Sequence, residues 1–156
     1  MPPIKPIQVP GTRRPAGHYS QAIVHGGLVY VSGQIPADLE TGTPQIGTIE
    51  AQTELVLGNL GRILRAAGSG YQHLLQVTIF LSRIDDWGTV NATYVRILGD
   101  HRPARAVVPV APLHYGAAIE VMAIAAVPRK AARTARARPA AARKSPRKPG
   151  RTARKR

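Results

Sequence analysis

Arg105 is the residue whose type and setting most directly indicate chemistry. It lies in residues 102–110, a run of mainly Ala, Val and Pro that predicts a buried strand, where an unpaired charge is costly. Its guanidinium stays charged and offers a planar fork of N–H donors that matches a carboxylate. Glu120 is the only charged residue between residues 116 and 127, in the next predicted strand. Two interpretations stay open: an ion pair that ties the strands together, or an arginine that binds an anionic ligand.

Three further polar residues stand at the edges of predicted elements. Tyr19 precedes the first strand of the predicted domain, Ser32 closes the second, and Asn91 lies in the first turns of the second helix. Taken singly, polar residues in such places are more often caps and turn residues than ligands, because their side chains bond to nearby backbone groups.

The composition excludes several kinds of site. There is no cysteine, so disulfides, thiolate metal sites and a cysteine nucleophile are ruled out. The five histidines show no metal-ligand spacing, and no P-loop, dinucleotide fingerprint or Ser-His-Asp motif is present. We therefore predict no metal site. The start of the chain lacks the apolar stretch of a secretory signal, and no run approaches the roughly 20 apolar residues of a membrane span, which predicts a cytoplasmic protein.

The first half of the chain predicts a hairpin and a long helix. Residues 21–25 and 28–32 are β-prone runs separated by Gly26-Gly27, a pattern typical of a tight hairpin. Residues 48–67 carry apolar side chains at helical spacing, acidic residues near the start and basic residues near the end, and Gly68 follows as a C-terminal cap. Within this helix Gly58 and Gly61 are poor helix formers, and we expect them to allow close packing on a sheet.

The second half adds a strand, a helix and two more strands. Residues 74–82 predict the strand, and Asp85-Asp86 offers an N-cap to a helix that ends near Gly99. Residues 104–110 and 117–127 predict the final strands. The order is β-β-α-β-α-β-β, which favours an α+β fold with one mixed sheet and two helices packed on the same face.

The net charge of +14 is concentrated at the C-terminal end. After residue 127 lie 13 of the 22 Lys and Arg residues and none of the 8 Asp and Glu residues. No aliphatic side chain larger than alanine occurs there, so this segment has nothing to bury. We therefore divide the chain into an irregular N-terminal arm, residues 1–18, a folded domain, residues 19–127, and a disordered basic tail, residues 128–156.

The tail contains a Ser145-Pro146-Arg147-Lys148 unit within its Arg-, Lys-, Ala- and Pro-rich sequence. Such tails resemble those of linker histones and some bacterial nucleoid proteins, which neutralise phosphates with release of counterions. We predict nucleic-acid contact here, the alternative being a solubilising appendage. The candidate residues are Arg143, Lys144, Arg147, Lys148, Arg154, Lys155 and Arg156.

Five segments carry a family resemblance, in a compatible order and spacing. They are Ala-Gly-His-Tyr-Ser-Gln-Ala at 16–22, Val-Ser-Gly-Gln-Ile-Pro at 31–36, Val-Asn-Ala-Thr-Tyr at 90–94, Arg-Pro-Ala-Arg at 102–105 and Ala-Ile-Glu-Val-Met-Ala-Ile-Ala at 118–125. Together they resemble the reactive intermediate deaminase (RidA/YjgF) family. The resemblance runs from about residue 17 to residue 127 and leaves out the tail.

The resemblance implies a chorismate-mutase-like α+β fold, a homotrimer and clefts between its subunits. It also implies cofactor-independent hydrolysis of imines and enamines, such as 2-iminobutyrate and 2-aminoacrylate, to 2-keto acids and ammonia. By position, Arg105 would hold the substrate carboxylate as a bidentate pair and Glu120 would position or activate water. Backbone groups near Val107 would contact the imine end, and the remaining cleft residues would be Tyr19, Ser32, Gly33 and Asn91.

Two positions depart from the family pattern. Val107 stands where well-known members commonly have cysteine, which is tolerable if the backbone contacts the substrate. Pro109 stands where an acidic residue is often found, and it removes a backbone donor beside Arg105. The alternative function is a binding module with little turnover, for a small ligand or for nucleic acid through the tail.

Overall fold

The computed structural model describes residues 1–128. The tail beyond Pro128 lies outside the described residues. The same is true of the basic residues predicted to contact nucleic acid, which are Arg143, Lys144, Arg147, Lys148, Arg154, Lys155 and Arg156.

The predicted fold class is confirmed: one mixed sheet carries two helices on one face. The strands are β1 (Lys5–Ile7), β2 (Ala22–His25), β3 (Leu28–Gln34), β4 (Leu74–Leu81), β5 (Ala104–Pro109) and β6 (Ile119–Ala126), and the helices are α1 (Ile49–Ala66) and α2 (Trp87–Leu98). The sheet order is β1-β2-β3-β6-β4-β5, and β4–β5 is its parallel pair. Among residues 1–128, no helix is long and apolar enough to cross a bilayer.

The N-terminal arm is less irregular than we predicted. Its strand β1 pairs antiparallel with β2, so the observed order has one strand more than the predicted β-β-α-β-α-β-β. The physical reason is burial, since Ile7 is 5% exposed and packs into the core. The next turn is fixed by the backbone N–H of Val9, which donates to Gln21 Oε1 at 2.7 Å.

The hairpin and the main helix follow the sequence pattern closely. Gly26 and Gly27 both have positive φ, at 59° and 82°, as the tight turn between β2 and β3 requires. Helix α1 begins after Thr48, whose hydroxyl accepts from the N–H of Ala51 at 3.2 Å. It ends before Gly68, which has φ 79° and follows the helix as a left-handed C-terminal cap.

Two local expectations about the helices are wrong. The Gly61 Cα faces the phenol of Tyr71 rather than the sheet, and Gly58 has open space around it. The Tyr71 hydroxyl donates to the Leu57 carbonyl at 2.6 Å, so the short turn before β4 packs directly on the helix backbone. At α2, Asp86 occupies the N-cap position without a capping bond from its side chain, because a short 3₁₀ turn at Ile84–Asp86 leads into the helix.

The two faces of the sheet differ in what covers them. The helix-covered face presents the side chains of alternate strand residues, which join those of α1 and α2 in one core. These buried strand residues include Val29, Val31, Val77, Ile79, Leu81, Ile119 and Val121. The residues between them point to the other side, here called the open face, where Tyr30 and Met122 are 43% and 41% exposed.

Candidate functional site

The strand that carries Arg105 is an exposed edge rather than the buried strand we predicted. β5 is the last strand of the sheet and pairs with β4 alone among the described residues. Val107 is half-buried, and the other five residues of β5 are exposed. The apolar run of Ala and Val is therefore not buried within residues 1–128.

Arg105 is held from the side of helix α2. Its Nη2 donates to Asn91 Oδ1 at 2.9 Å, and its guanidinium carbon lies 4.7 Å from the centroid of the Tyr94 ring. A guanidinium over an aromatic face is attracted by the ring quadrupole and keeps its remaining N–H donors free. No ion pair within residues 1–128 involves Arg105, so of the two interpretations left open the structure does not support an ion pair with Glu120.

Tyr94 supports Arg105 and was not among the predicted site residues. It is 6% exposed, and burial raises the pKa of its phenol, while the charge of Arg105 acts in the opposite direction. Its hydroxyl is one of two buried side-chain polar atoms in residues 1–128 without a hydrogen-bond partner. The spacing of three residues from Asn91, on one face of α2, was the available signal for this role.

The backbone of β5 presents polar groups at its outer edge. Val110 N donates to the Leu81 carbonyl at 2.9 Å, which directs the even-numbered residues of this strand toward β4. Because successive residues alternate, the N–H and C=O groups of Arg105 and Val107 face the outer edge. Pro109 also has its nitrogen on that edge, so it removes no bond from the β4–β5 ladder and does not disturb the strand beside Arg105.

The other predicted site residues meet around a separate cavity of about 560 Å³. Glu120 lies at this cavity, half-buried, next to Gly33. A Cβ at Gly33 would overlap the Glu120 carboxylate, so glycine is required for this close approach. The lining is completed by small and aromatic residues, namely Ala16, Gly17, Tyr19, Ser32, Ile35, His114 and Tyr115.

Ser32 holds the segment that carries Tyr19. Its Oγ donates to the Ser20 carbonyl at 2.7 Å, and its backbone N–H donates to the Gln21 carbonyl at 3.1 Å. These bonds fix the turn before β2 and leave the Tyr19 ring 56% exposed at the cavity. Ser32 therefore combines the turn role and the cleft position that the sequence left as alternatives.

His114 and Tyr115 are cavity residues that the sequence analysis missed. They lie in the connection between β5 and β6, and their ring centroids are 5.6 Å apart with an interplanar angle of 44°. Tyr115 has φ 59°, a left-handed backbone conformation that is uncommon outside glycine. Two adjacent aromatic residues directly before the Gly116 turn were the signal that pointed to them.

The predicted residues thus form two groups on opposite faces of the sheet. Arg105 lies in register with Val77, on the helix-covered face, whereas Glu120 lies in register with Phe80, on the open face. Their strands are separated by β4, and the two positions are offset by three residues along it, which is about 10 Å in each direction. One chain therefore does not bring Arg105 and Glu120 into one site.

The family follows from comparison with known proteins. The model of the family described as Endoribonuclease L-PSP matches residues 11–127. The chain belongs to this family, which is the RidA/YjgF family.

Named relatives of this RidA/YjgF protein include deaminases. It is 41% identical over 109 residues to the rat 2-iminobutanoate/2-iminopropanoate deaminase, covering 70% of this chain and 80% of that one. It is 40% identical over 112 residues to a RutC family protein of Pyrococcus horikoshii, covering 72% and 89%. The crystal structure of TdcF from E. coli with bound serine superposes with a TM-score of 0.73 at 31% identity, over 78% of this chain and 98% of TdcF. Family membership and relatives of this kind support deamination of reactive intermediates.

Proposed function

We propose that this protein is a cofactor-independent imine deaminase of the 2-iminobutanoate/2-iminopropanoate type. It takes 2-imino acids, and the enamines that tautomerise to them, and releases 2-keto acids and ammonia. The observation that carries the proposal is the setting of Arg105, a guanidinium held by Asn91 and Tyr94 at an exposed strand edge with no carboxylate partner in residues 1–128. A substrate carboxylate is the partner that this arrangement lacks.

The site is composite, made by two subunits of a homotrimer. The separation of Arg105 and Glu120 on opposite faces supports this, since both can meet one small substrate only if they come from different copies. The open face supports it independently. Tyr30, Met122 and Val108 are exposed on it, and no second layer of residues 1–128 covers its central strands. A sheet face of this kind is ordinarily buried against another element or another chain.

Each group has a role that its position allows. Arg105 of one subunit binds the carboxylate through two parallel N–H bonds, and the backbone groups of Val107 at the strand edge meet the imine nitrogen. Glu120 of the neighbouring subunit orients a water molecule toward the imine carbon and accepts its proton. Tyr19 and Ser32 line the same cavity, and Gly33 leaves room for the carboxylate of Glu120.

The chemistry needs no more than these groups. Water adds to the C=N carbon, its proton passes to Glu120, and one proton passes from Glu120 to the nitrogen, which gives a carbinolamine. The hydroxyl proton of the carbinolamine then moves to the nitrogen as the C–N bond breaks, leaving the C=O of the keto acid and ammonia, so one water is consumed for each ammonia released. Imine hydrolysis is already fast in water, and the protein supplies orientation and a proton route. The serine bound to TdcF, a small amino acid with a carboxylate, is consistent with a ligand of this class.

The test is an imine hydrolysis assay on four proteins: the full chain, a chain ending at Val127, Arg105→Ala and Glu120→Ala. The full chain should accelerate keto-acid release from 2-iminobutyrate, and the shortened chain should match it, because every residue of the proposed site lies within residues 1–127. Arg105→Ala should lose about 10- to 100-fold in kcat/KM, the value of one or two charge-assisted hydrogen bonds. A full-length protein that does not accelerate release, with Arg105→Ala no different, contradicts the proposal and favours the binding-module alternative.

A further inference from the structure

Tyr115 has an unusual backbone conformation for its residue type. It is the only non-glycine residue of 1–128 with a positive φ, at 59° with ψ 18°. Its side chain is 69% exposed, so burial of the ring does not explain the conformation. Backbone of this kind costs free energy and persists mainly where the surroundings hold it, often at functional sites. With this backbone conformation, Tyr115 lines the cavity that holds Glu120.

Three aromatic rings stand at this cavity. Tyr115 is tilted against His114, with ring centroids 5.6 Å apart, and Tyr19 lines the same space from the segment before β2. Tyr19 and Tyr115 are both more than half exposed, at 56% and 69%. Aromatic rings pair in tilted and edge-to-face arrangements at centroid distances of about 4.5–7 Å, so His114 and Tyr115 already form such a pair, and the exposed faces of Tyr115 and Tyr19 are available to a further ring. We call Tyr19, His114 and Tyr115 the aromatic rim.

The lining of the cavity carries one carboxylate. Glu120 is the one Asp or Glu that lines it among the described residues, no Lys or Arg of those residues does, and Glu120 is the residue that works on water in the proposed function. His114 also lines it, as part of the aromatic rim. A second carboxylate on the substrate would therefore meet a like charge, while an apolar group would meet Ile35 and the rim. The cavity volume of about 560 Å³ falls in the range of roughly 300–1,000 Å³ typical of sites for larger ligands. This is the volume in a single protomer, and in the proposed trimer the neighbouring subunit takes up part of it beside the substrate.

These observations indicate where the side chain of the substrate binds. With the carboxylate on Arg105 of one subunit and the imine carbon near Glu120 of the next, the third substituent on that carbon extends into the cavity beside Glu120. We propose that the aromatic rim binds this substituent and makes 2-imino acids with aromatic or other large apolar side chains the preferred substrates, ahead of 2-iminopropanoate and 2-iminobutanoate. This inference rests on the proposed function and adds the substrate class to it.

The test measures preference as a ratio of kcat/KM values. An L-amino acid oxidase generates imines in situ from phenylalanine, leucine, 2-aminobutyrate and glutamate, and semicarbazide competes with the enzyme for them. The wild type should favour the phenylalanine-derived imine over the 2-aminobutyrate-derived imine by about tenfold, the order of one aromatic contact. Tyr115→Gly, which relieves the positive φ and removes the ring, should bring this ratio close to one. Tyr115→Phe should keep it, and His114→Ala should lower it in part.

The other outcomes distinguish an error in the substrate preference from an error in the proposed function. A wild type that turns over all imines but favours the smallest, or a ratio that Tyr115→Gly and His114→Ala leave unchanged, overturns the aromatic rim and leaves the proposed function standing. A neighbouring cavity of about 170 Å³ is lined by Arg13, Arg14 and Tyr115. A preference for the glutamate-derived imine that Arg14→Ala abolishes would overturn the aromatic rim and assign the substrate side chain to that cavity. A wild type that hydrolyses none of the imines contradicts the function and the substrate class together. Thermal unfolding of each variant confirms that the comparison is made on folded protein.

Discussion

Within one protomer, Arg105 and Glu120 lie on opposite faces of the same sheet, in register with Val77 and Phe80 of the strand between them. The residues proposed as the carboxylate clamp and the water-activating base are therefore kept apart within one chain. The proposed site needs two copies of the chain to bring them together.

The support of Arg105 by α2 should be measurable in substrate affinity. Tyr94→Leu removes the ring under the guanidinium, and Asn91→Ala removes the acceptor that orients it. We expect each to raise KM by about three- to tenfold, because a cation–π contact or a charge-assisted hydrogen bond contributes roughly 1 kcal/mol. Tyr94→Phe is the matched control, since it keeps the ring and removes a buried hydroxyl that has no partner in the described residues. A larger KM effect from Tyr94→Phe than from Tyr94→Leu would contradict this role.

Gly33 should be required for the position of Glu120. A Cβ at this residue overlaps the Glu120 carboxylate, so Gly33→Ala must push that side chain away from its place in the cavity. We expect kcat for 2-iminobutyrate to fall about 10- to 100-fold, since a displacement of about 1 Å at a reacting group has effects of this size. Gly58→Ala, where no heavy atom lies within 4 Å of the added Cβ, is the control for a glycine substitution without a clash. Retention of full kcat in Gly33→Ala would show that Glu120 does not need its present position.

The two helix glycines should respond to alanine with opposite signs in stability. Gly58→Ala adds a methyl group in open space and should raise the free energy of unfolding by about 0.5–1 kcal/mol through helix propensity. Gly61→Ala places its Cβ against the Tyr71 phenol, which donates to the Leu57 carbonyl, and should lower stability despite the same gain in propensity. Denaturant unfolding of both variants checks the pair. Equal stabilisation by the two substitutions would mean that the contact with Tyr71 does not affect the free energy of unfolding.

Much of the fold could be predicted because its signals are local. The limits of α1 follow from Thr48, Gly68 and the apolar spacing between them, and the first hairpin follows from Gly26-Gly27. β1 was missed because a three-residue strand that contains proline has no pattern of its own, and it forms only because Ile7 finds the core.

The site could be predicted in its residues but not in its arrangement. Alternation places Arg105 correctly relative to Val107, yet the faces taken by Arg105 and Glu120 depend on the register of β5 and β6 against β4. Pairing register between strands distant in sequence has no local signature. For the same reason the apolar sequence of β5 predicted burial within the chain, where the structure has an exposed edge.

The basic tail should bind nucleic acid independently of the folded domain. Its excess of Lys and Arg predicts affinity for DNA or RNA that falls steeply with salt, with a logarithmic slope of about −0.7 to −0.9 for each phosphate neutralised. Binding of a labelled duplex and a labelled single strand, measured from low to physiological salt, compares the full chain with a chain ending at Val127. The shortened chain should lose this binding and keep imine hydrolysis. Equal affinity of the two proteins would place the nucleic-acid surface on the folded domain.

The composite site is the central claim, and mixing two impaired subunits tests it most directly. Arg105→Ala and Glu120→Ala proteins, each far less active alone than the wild type, are co-expressed in equal amounts so that their subunits assemble at random. If each site takes Arg105 from one subunit and Glu120 from its neighbour, about a quarter of the sites in a cyclic trimer regain both residues. The mixture should therefore recover about a quarter of the wild-type activity on 2-iminobutyrate. Mixed assemblies that form and are no more active than either parent would contradict the composite site.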